Sequence, residues 1–358
     1  LTPKDSKLWG SIARFVMKRP VSVLLVTLIG LGSLTSLAVG VEFGQVDDRV
    51  LKQDDRVVVA SNFIRDNFTA REGSPVEILV RDADDQEIAD YASSIAVLDN
   101  ITRVQVMPTK ADGWTQIVAI HEIESRSPAG ITLTDAIRTV QIEGAEVLVG
   151  GSAAIYTDSQ QGIERQLPLA AGWIVIWTLI LLFLFTGSIL LPIKAVLLNV
   201  LSLGATFGFV TWVFAEGNLK WLIGDFFVTG TIDPSSSGMI VVVAFGLSMD
   251  YELFLLSRIK EQHDAGLGTH ESVAVGLQRS GRIITAAALV LAFSFVAFVT
   301  SGVTIMKMLG LGIAFAILLD ATIVRALLVP ALMRLLGDLN WWAPRWMKWI
   351  YRKAGLDH

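Results

Sequence analysis

The chain has 358 residues, 53% of them hydrophobic and only 18% charged, with a net charge of -5 at pH 7. Soluble domains are nearer a quarter charged, so lipid is part of the solvent for this chain. The absence of cysteine excludes a disulfide framework or thiol chemistry, and the four histidines, His121, His263, His270 and His358, include no i, i+4 pair to hold zinc. No cofactor and no nucleic-acid partner are expected. The chain opens at Leu1 rather than Met, as a processed chain or a piece of a longer one does.

Residues 1–19 read as an amphipathic helix at the headgroup level, with Leu8, Trp9, Ile12, Phe15 and Val16 beside Lys7 and Arg14. Pro20–Val41 is the first of six stretches apolar and long enough to cross a hydrocarbon core about 30 Å thick. It is longer than the apolar core of a cleaved signal peptide.

Residues 42–168 lose the long apolar runs and alternate instead. Helical spacing predicts Asp55–Phe68, with Val58, Phe63 and Phe68 inward, and Gln86–Leu98, with Ile88, Tyr91, Ile95 and Leu98 on one face. A third helix is expected over Thr132–Ile142, capped by Thr132 or Thr134, and a closing one over Ser152–Leu167. Strands are expected at Val76–Val80, Thr102–Met107, Gln116–Ile123 and Glu146–Val149, with a turn at Ala111-Asp112-Gly113. The order contains β-α-β-β-α-β, the split βαβ of ferredoxin-like domains. Gly150-Gly151 reads as a turn, since no Lys or Ser/Thr follows at phosphate-loop spacing.

The remaining spans are Leu169–Ser188, Pro192–Ala215, Gly238–Ser257, Ile283–Ser301 and Met306–Leu336, followed by an amphipathic tail over 337–358. In that tail Trp341, Trp342, Trp346 and Trp349 alternate with Arg345 and Lys348, an interfacial composition. Lys4, Lys7, Arg14, Lys18 and Arg19 precede the first span, Lys194 falls between spans two and three, and Arg258, Lys260, Arg279 and Arg282 fall between four and five. Arg334, Arg345, Lys348, Arg352 and Lys353 follow the last span, while the opposite short loops hold only Lys220 and Lys307. The positive-inside rule then places both termini and the 258–282 loop in the cytoplasm and 42–168 outside, across the plasma (inner) membrane.

Acidic groups inside a span are costly and usually functional. Asp250 and Glu252 lie in span four and Asp320 in span six. Asp250 is about 18 Å from the outer end of its helix, within the hydrocarbon. Desolvation suits such a carboxyl to carrying protons, and Tyr251 offers an adjacent hydroxyl. Glu252 lies about 200° around the helix from Asp250, so the two share no contact. Asp320 and Arg325 are five apart and do not stack on an α-helix. Asp320 is expected to reach Thr285 or another hydroxyl of span five, and Arg325 to approach the cytoplasmic interface. For this pair the structural reading is preferred.

Gly246-Leu247-Ser248-Met249-Asp250-Tyr251-Glu252-Leu253-Phe254-Leu255-Leu256-Ser257-Arg258 resembles the span-four signature of the MmpL (mycobacterial membrane protein large) group of resistance-nodulation-division (RND) transporters. Gly281-Arg282-Ile283-Ile284-Thr285-Ala286-Ala287-Ala288 is similar to the opening of that group's fifth span. Leu318-Leu319-Asp320-Ala321-Thr322-Ile323-Val324-Arg325, Trp341-Trp342-Ala343-Pro344-Arg345 and Leu191-Pro192-Ile193-Lys194 resemble further segments in the same order. The outer domain matches in pattern only.

The resemblance implies an RND half-transporter like the family's C-terminal repeat: a bundle of six transmembrane helices with an α+β ferredoxin-like porter domain. It implies a proton relay at Asp250 and Tyr251, supported by Ser248, Glu252, Thr285, Asp320 and Arg325, with protons as the coupling ion. It further implies a second repeat, fused or separate, and export of a lipid, glycolipid or siderophore-like amphiphile to the cell envelope. One alternative is a non-transporting scaffold or sensor on the same repeat. The other is an intramembrane aspartyl protease using Asp250 and Asp320, whose dyad would need the carboxyls about 3 Å apart.

Overall fold

A computed structural model describes residues 7–40, 42–44, 48–52, 54–68, 73–125, 127–228 and 230–353. Lys4, Val41 and His358 of the sequence reading lie outside them. In chain order the elements are α1 Lys7–Lys18, α2 Pro20–Ser36, β1 Glu42–Phe43, α3 Arg56–Asn67, β2 Val76–Arg81, α4 Asp85–Ala96, β3 Ile101–Ala111 and β4 Trp114–His121. There follow α5 Pro128–Thr139, β5 Glu146–Gly151, α6 Ser152–Thr186, α7 Leu190–Val210, α8 Lys220–Ile223, β6 Thr231–Ile232, α9 Pro234–Asp264 and α10 Thr269–Val296. Last come α11 Thr304–Leu319, α12 Val329–Leu336 and α13 Arg345–Lys353. Two compact units result, Gln53–Leu169 and the rest of the chain.

The larger unit is a membrane helical bundle. Among the described residues five helices are long and apolar enough to cross a bilayer, and a sixth span arises if α1 and α2, bent by 99° at Arg19, count as one. Pro20 starts α2 where its missing N–H costs nothing. On α7, Gly204-Ala205-Thr206-Phe207-Gly208 brings α2 close: a Cβ at Gly208 would strike the Leu34 carbonyl, and one at Gly204 would lie 2.9 Å from Thr35 Cγ2. Small residues four apart permit this approach, on which packing in lipid depends. On α1, Trp9, Ala13 and Val16 are buried while Leu8 and Phe15 face out, and Trp9 lies on Gly281 of α10.

The segment expected as a 258–282 loop is helical except around 265–268, because α9 continues to Asp264 and α10 begins at Thr269. Lys194 and Lys307, expected in loops, are buried inside α7 and α11. The Lys307 ammonium donates to the Ile223 and Asp225 carbonyls at 2.8 and 3.1 Å. Trp341 also turns inward, stacking on His263 at 4.2 Å and donating to Thr269 Oγ1. Trp342, Trp346 and Trp349 are exposed, and Tyr351 of α13 packs edge-on against Phe183.

The smaller unit holds an antiparallel sheet of order β3-β4-β2-β5. Alternation buries Val76, Ile78 and Val80 on one face, under Ile88, Tyr91 and Ile95 of α4 and Leu133 and Ile137 of α5. Asp84 caps α4 in a reciprocal box with Glu87. Helix α5 begins four residues earlier than expected: Ser127 is its cap and Pro128 its first residue. Thr132 and Thr134 instead bond back to the Pro128 and Gly130 carbonyls inside the helix. Of the three residues expected inward on α3 and at its end, Val58 is buried while Phe63 and Phe68 are exposed. Phe63 is about 140° around the helix from Val58, so one face cannot bury both.

Candidate functional site in the helical bundle

The polar residues of span four divide between two faces of α9. Ser248 and Glu252, one turn apart, are buried, while Asp250 is exposed and Tyr251 half-buried. The exposed stripe runs Ser235, Gly238, Met239, Val242, Gly246 and Asp250, at helical spacing. Nothing lies within 4 Å of a Cβ built at Gly238 or Gly246.

The buried face meets α11 where its helix widens. Residues Asp320–Leu328 form a π-helix between α11 and α12. In an α-helix Asp320 and Arg325 would point about 140° apart. The i, i+5 pattern of a π-helix stacks them, and such bulges concentrate at functional sites. Arg325 Nε donates to Asp320 Oδ2 at 2.7 Å, and the pair is almost fully buried. Ser248 Oγ donates to Asp320 Oδ1 at 2.9 Å, and Arg325 Nη2 donates to the Ser248 carbonyl. The guanidinium also lies 5.2 Å over the Tyr251 ring.

These contacts correct two expectations. Arg325 does not approach the cytoplasmic interface: it is 1% exposed and held by α9. Asp320 does not reach Thr285, whose hydroxyl donates to the Gly281 carbonyl at 2.7 Å. The structure thus joins Ser248, Asp320, Arg325 and Tyr251 in one cluster, leaves Asp250 on the open face, and leaves Thr285 out. Asp320 spends both carboxylate oxygens on Ser248 and Arg325, which denies an aspartyl dyad its shared proton. In the sequence Lys194 reads only as a topology marker, although it lies in an apolar run after the helix-breaking Gly187-Ser188.

Residues 121–353 match the model of the MMPL family. The chain belongs to that family. It is 36% identical over 372 residues to the trehalose monomycolate exporter MmpL3 of Mycolicibacterium smegmatis, with 97% of this chain and 36% of that protein aligned. It is 37% identical over 354 residues to a putative membrane protein of Streptomyces coelicolor, covering 99% of this chain and 49% of the relative. The mycolic acid-containing lipids exporter MmpL11 of M. smegmatis is 30% identical over 367 residues, covering 99% and 38% respectively. The chain therefore spans between a third and a half of the length of these curated relatives. Two of the three are named as exporters, of trehalose monomycolate and of mycolic acid-containing lipids, and none of the three as an enzyme.

Proposed function

We propose that the chain is one repeat of a proton-driven exporter of a lipid or other amphiphile, with Asp250 and Tyr251 as its proton relay. The observation that carries this reading is Asp250 itself. It is a carboxylate well inside an apolar span, on an open stripe with two glycines, while its acidic neighbour Asp320 is held in a buried ion pair. A charge facing lipid costs at least ~2.5 kcal/mol, so the stripe needs a covering partner. A second repeat, fused or separate, fits that need and the greater length of the relatives. No cofactor beyond the proton is required.

In this reading α1 lies at the cytoplasmic interface, 20–41 and 169–336 hold six spans, and 337–358 is a cytoplasmic tail. Residues 42–168 are the extracytoplasmic porter domain. The β-α-β-β-α-β order and the β3-β4-β2-β5 sheet favour a ferredoxin-like form for it. Because relatives are named as exporters of trehalose monomycolate and mycolic acid-containing lipids, a glycolipid is the first cargo to test, with siderophore-like amphiphiles second.

Protonation neutralises Asp250 and lets it hydrogen-bond across the covering interface. Deprotonation restores a charge that must be solvated, which biases the bundle between two arrangements. Asp250→Asn keeps the shape and removes the titration. Flux of a fluorescent acylated disaccharide across an imposed pH gradient, per folded protein, should be abolished. Wild-type flux in that variant refutes the reading.

A further inference from the structure

Lys194, the fifth residue of α7, and Glu252 of α9 are 5% and 4% exposed. They act on each other electrostatically, yet Lys194 Nζ and Glu252 Oε1 each lack a hydrogen-bond partner. Arg325 Nη1 lacks one as well. The three atoms sit on α7, α9 and the π-helix, which pack against one another. Glu252 lies one turn beyond Ser248, about 6 Å along the same face towards Arg258. Buried charged groups without partners cost several kcal/mol, and those that persist generally have a task or an occupant. A pair serving only as a strut would be joined directly.

We propose that Glu252 and Lys194 form a second proton-handling site, which receives the proton of Asp250 and releases it on the Arg258 side. The inference rests on the proton-driven reading above. Glu252 is about 200° around α9 from Asp250, so the transfer runs through water past Tyr251 rather than side chain to side chain. An O–H bond breaks at Asp250 and one forms at Glu252, which leaves a carboxylate and a neutral acid. The Lys194 ammonium favours the carboxylate, so Glu252 passes its proton to water and the ion pair re-forms.

On the π-helix Asp320 and Arg325 are paired with each other, and on α9 Asp250 lies on a different face while Arg258, Lys260 and Glu261 follow towards the end of the helix. Helix α2 has no ionisable residue, and Lys307 of α11 is held at the far end of the bundle. On α10 the nearest cations, Arg279 and Arg282, are exposed.

Infrared difference spectra between acidic and alkaline buffer, taken on the complete transporter in vesicles, test this without any cargo. Two protonated-carboxyl bands are expected, one lost in Asp250→Asn and the other in Glu252→Gln. In Lys194→Met the Glu252 band should move in frequency, because the charge beside it is gone. The double variant Lys194→Met/Glu252→Gln buries no unpaired charge and supplies the spectrum if either single variant misfolds. A spectrum of the double variant identical to wild type overturns the inference. An unchanged spectrum in Asp250→Asn strikes the relay reading instead, so the two failures are distinguishable.

Discussion

Asp320→Asn removes one charge from the most buried ion pair of the bundle and changes almost no volume. Arg325 is 1% exposed and the Asp320 side chain 7%. The asparagine oxygen can still accept from Ser248, but the guanidinium loses its counter-charge. Breaking one side of a buried pair costs about 3–5 kcal/mol, at least a hundredfold in the ratio of folded to unfolded protein. Ser248→Ala, which removes one hydrogen bond to a charged group, should cost about 1.5–3 kcal/mol. Adding Arg325→Met to Asp320→Asn removes the stranded cation and should recover most of the loss. The assay is thermal unfolding of the purified protein in detergent, read as loss of the monodisperse peak on size exclusion. The reasoning fails if Asp320→Asn unfolds with wild type, or if the double variant is less stable than both singles.

Tyr251→Phe removes a hydroxyl but no charge, so flux across a pH gradient should fall by about tenfold or less, against complete loss in Asp250→Asn. With no native cysteine, single cysteines report sidedness cleanly. An impermeant thiol reagent on intact cells should label Ser93→Cys and spare Ala265→Cys, and the reverse pattern inverts the topology. Gly208→Ala forces a Cβ into the Leu34 carbonyl, so it should push α2 from α7 and cost about 1–3 kcal/mol in the same unfolding assay. In the smaller unit, burial pushes the Tyr91 phenol up to about 12. Its raised value means the unfolded chain ionises first, so stability present below about pH 10 is lost as pH rises towards about 12. The Tyr91 hydroxyl has no hydrogen-bond partner, so Tyr91→Phe should be neutral or stabilising by about 1 kcal/mol and should blunt the alkaline loss. A variant that keeps the full alkaline transition puts its origin elsewhere.

Much of this architecture is legible from local pattern. Apolar runs near 20 residues announce the spans, because lipid leaves the backbone no partner but itself. The run Val76–Val80 announces β2, and Ile88, Tyr91 and Ile95 at helical spacing announce α4. Asp250 stands out because a carboxylate in such a run is rare. Helix limits were less legible. Ser127-Pro128 outcompetes Thr132 and Thr134 as a start, and α9 and α10 run on past their apolar stretches because packing continues there.

The partners of the charged residues were not legible at all. Counting on an α-helix separates Asp320 from Arg325, and only the π-helix between α11 and α12 brings them together. Ser248 is 72 positions from Asp320 in the chain, and Lys194 is nearly as far from Glu252, so no local spacing links them. The sequence by itself determines which segments enter the membrane and which carboxylate stands out, because burial in lipid acts residue by residue. Which charges are neutralised and which stay open depends on how helices far apart in sequence pack side by side, and only the tertiary structure decides that.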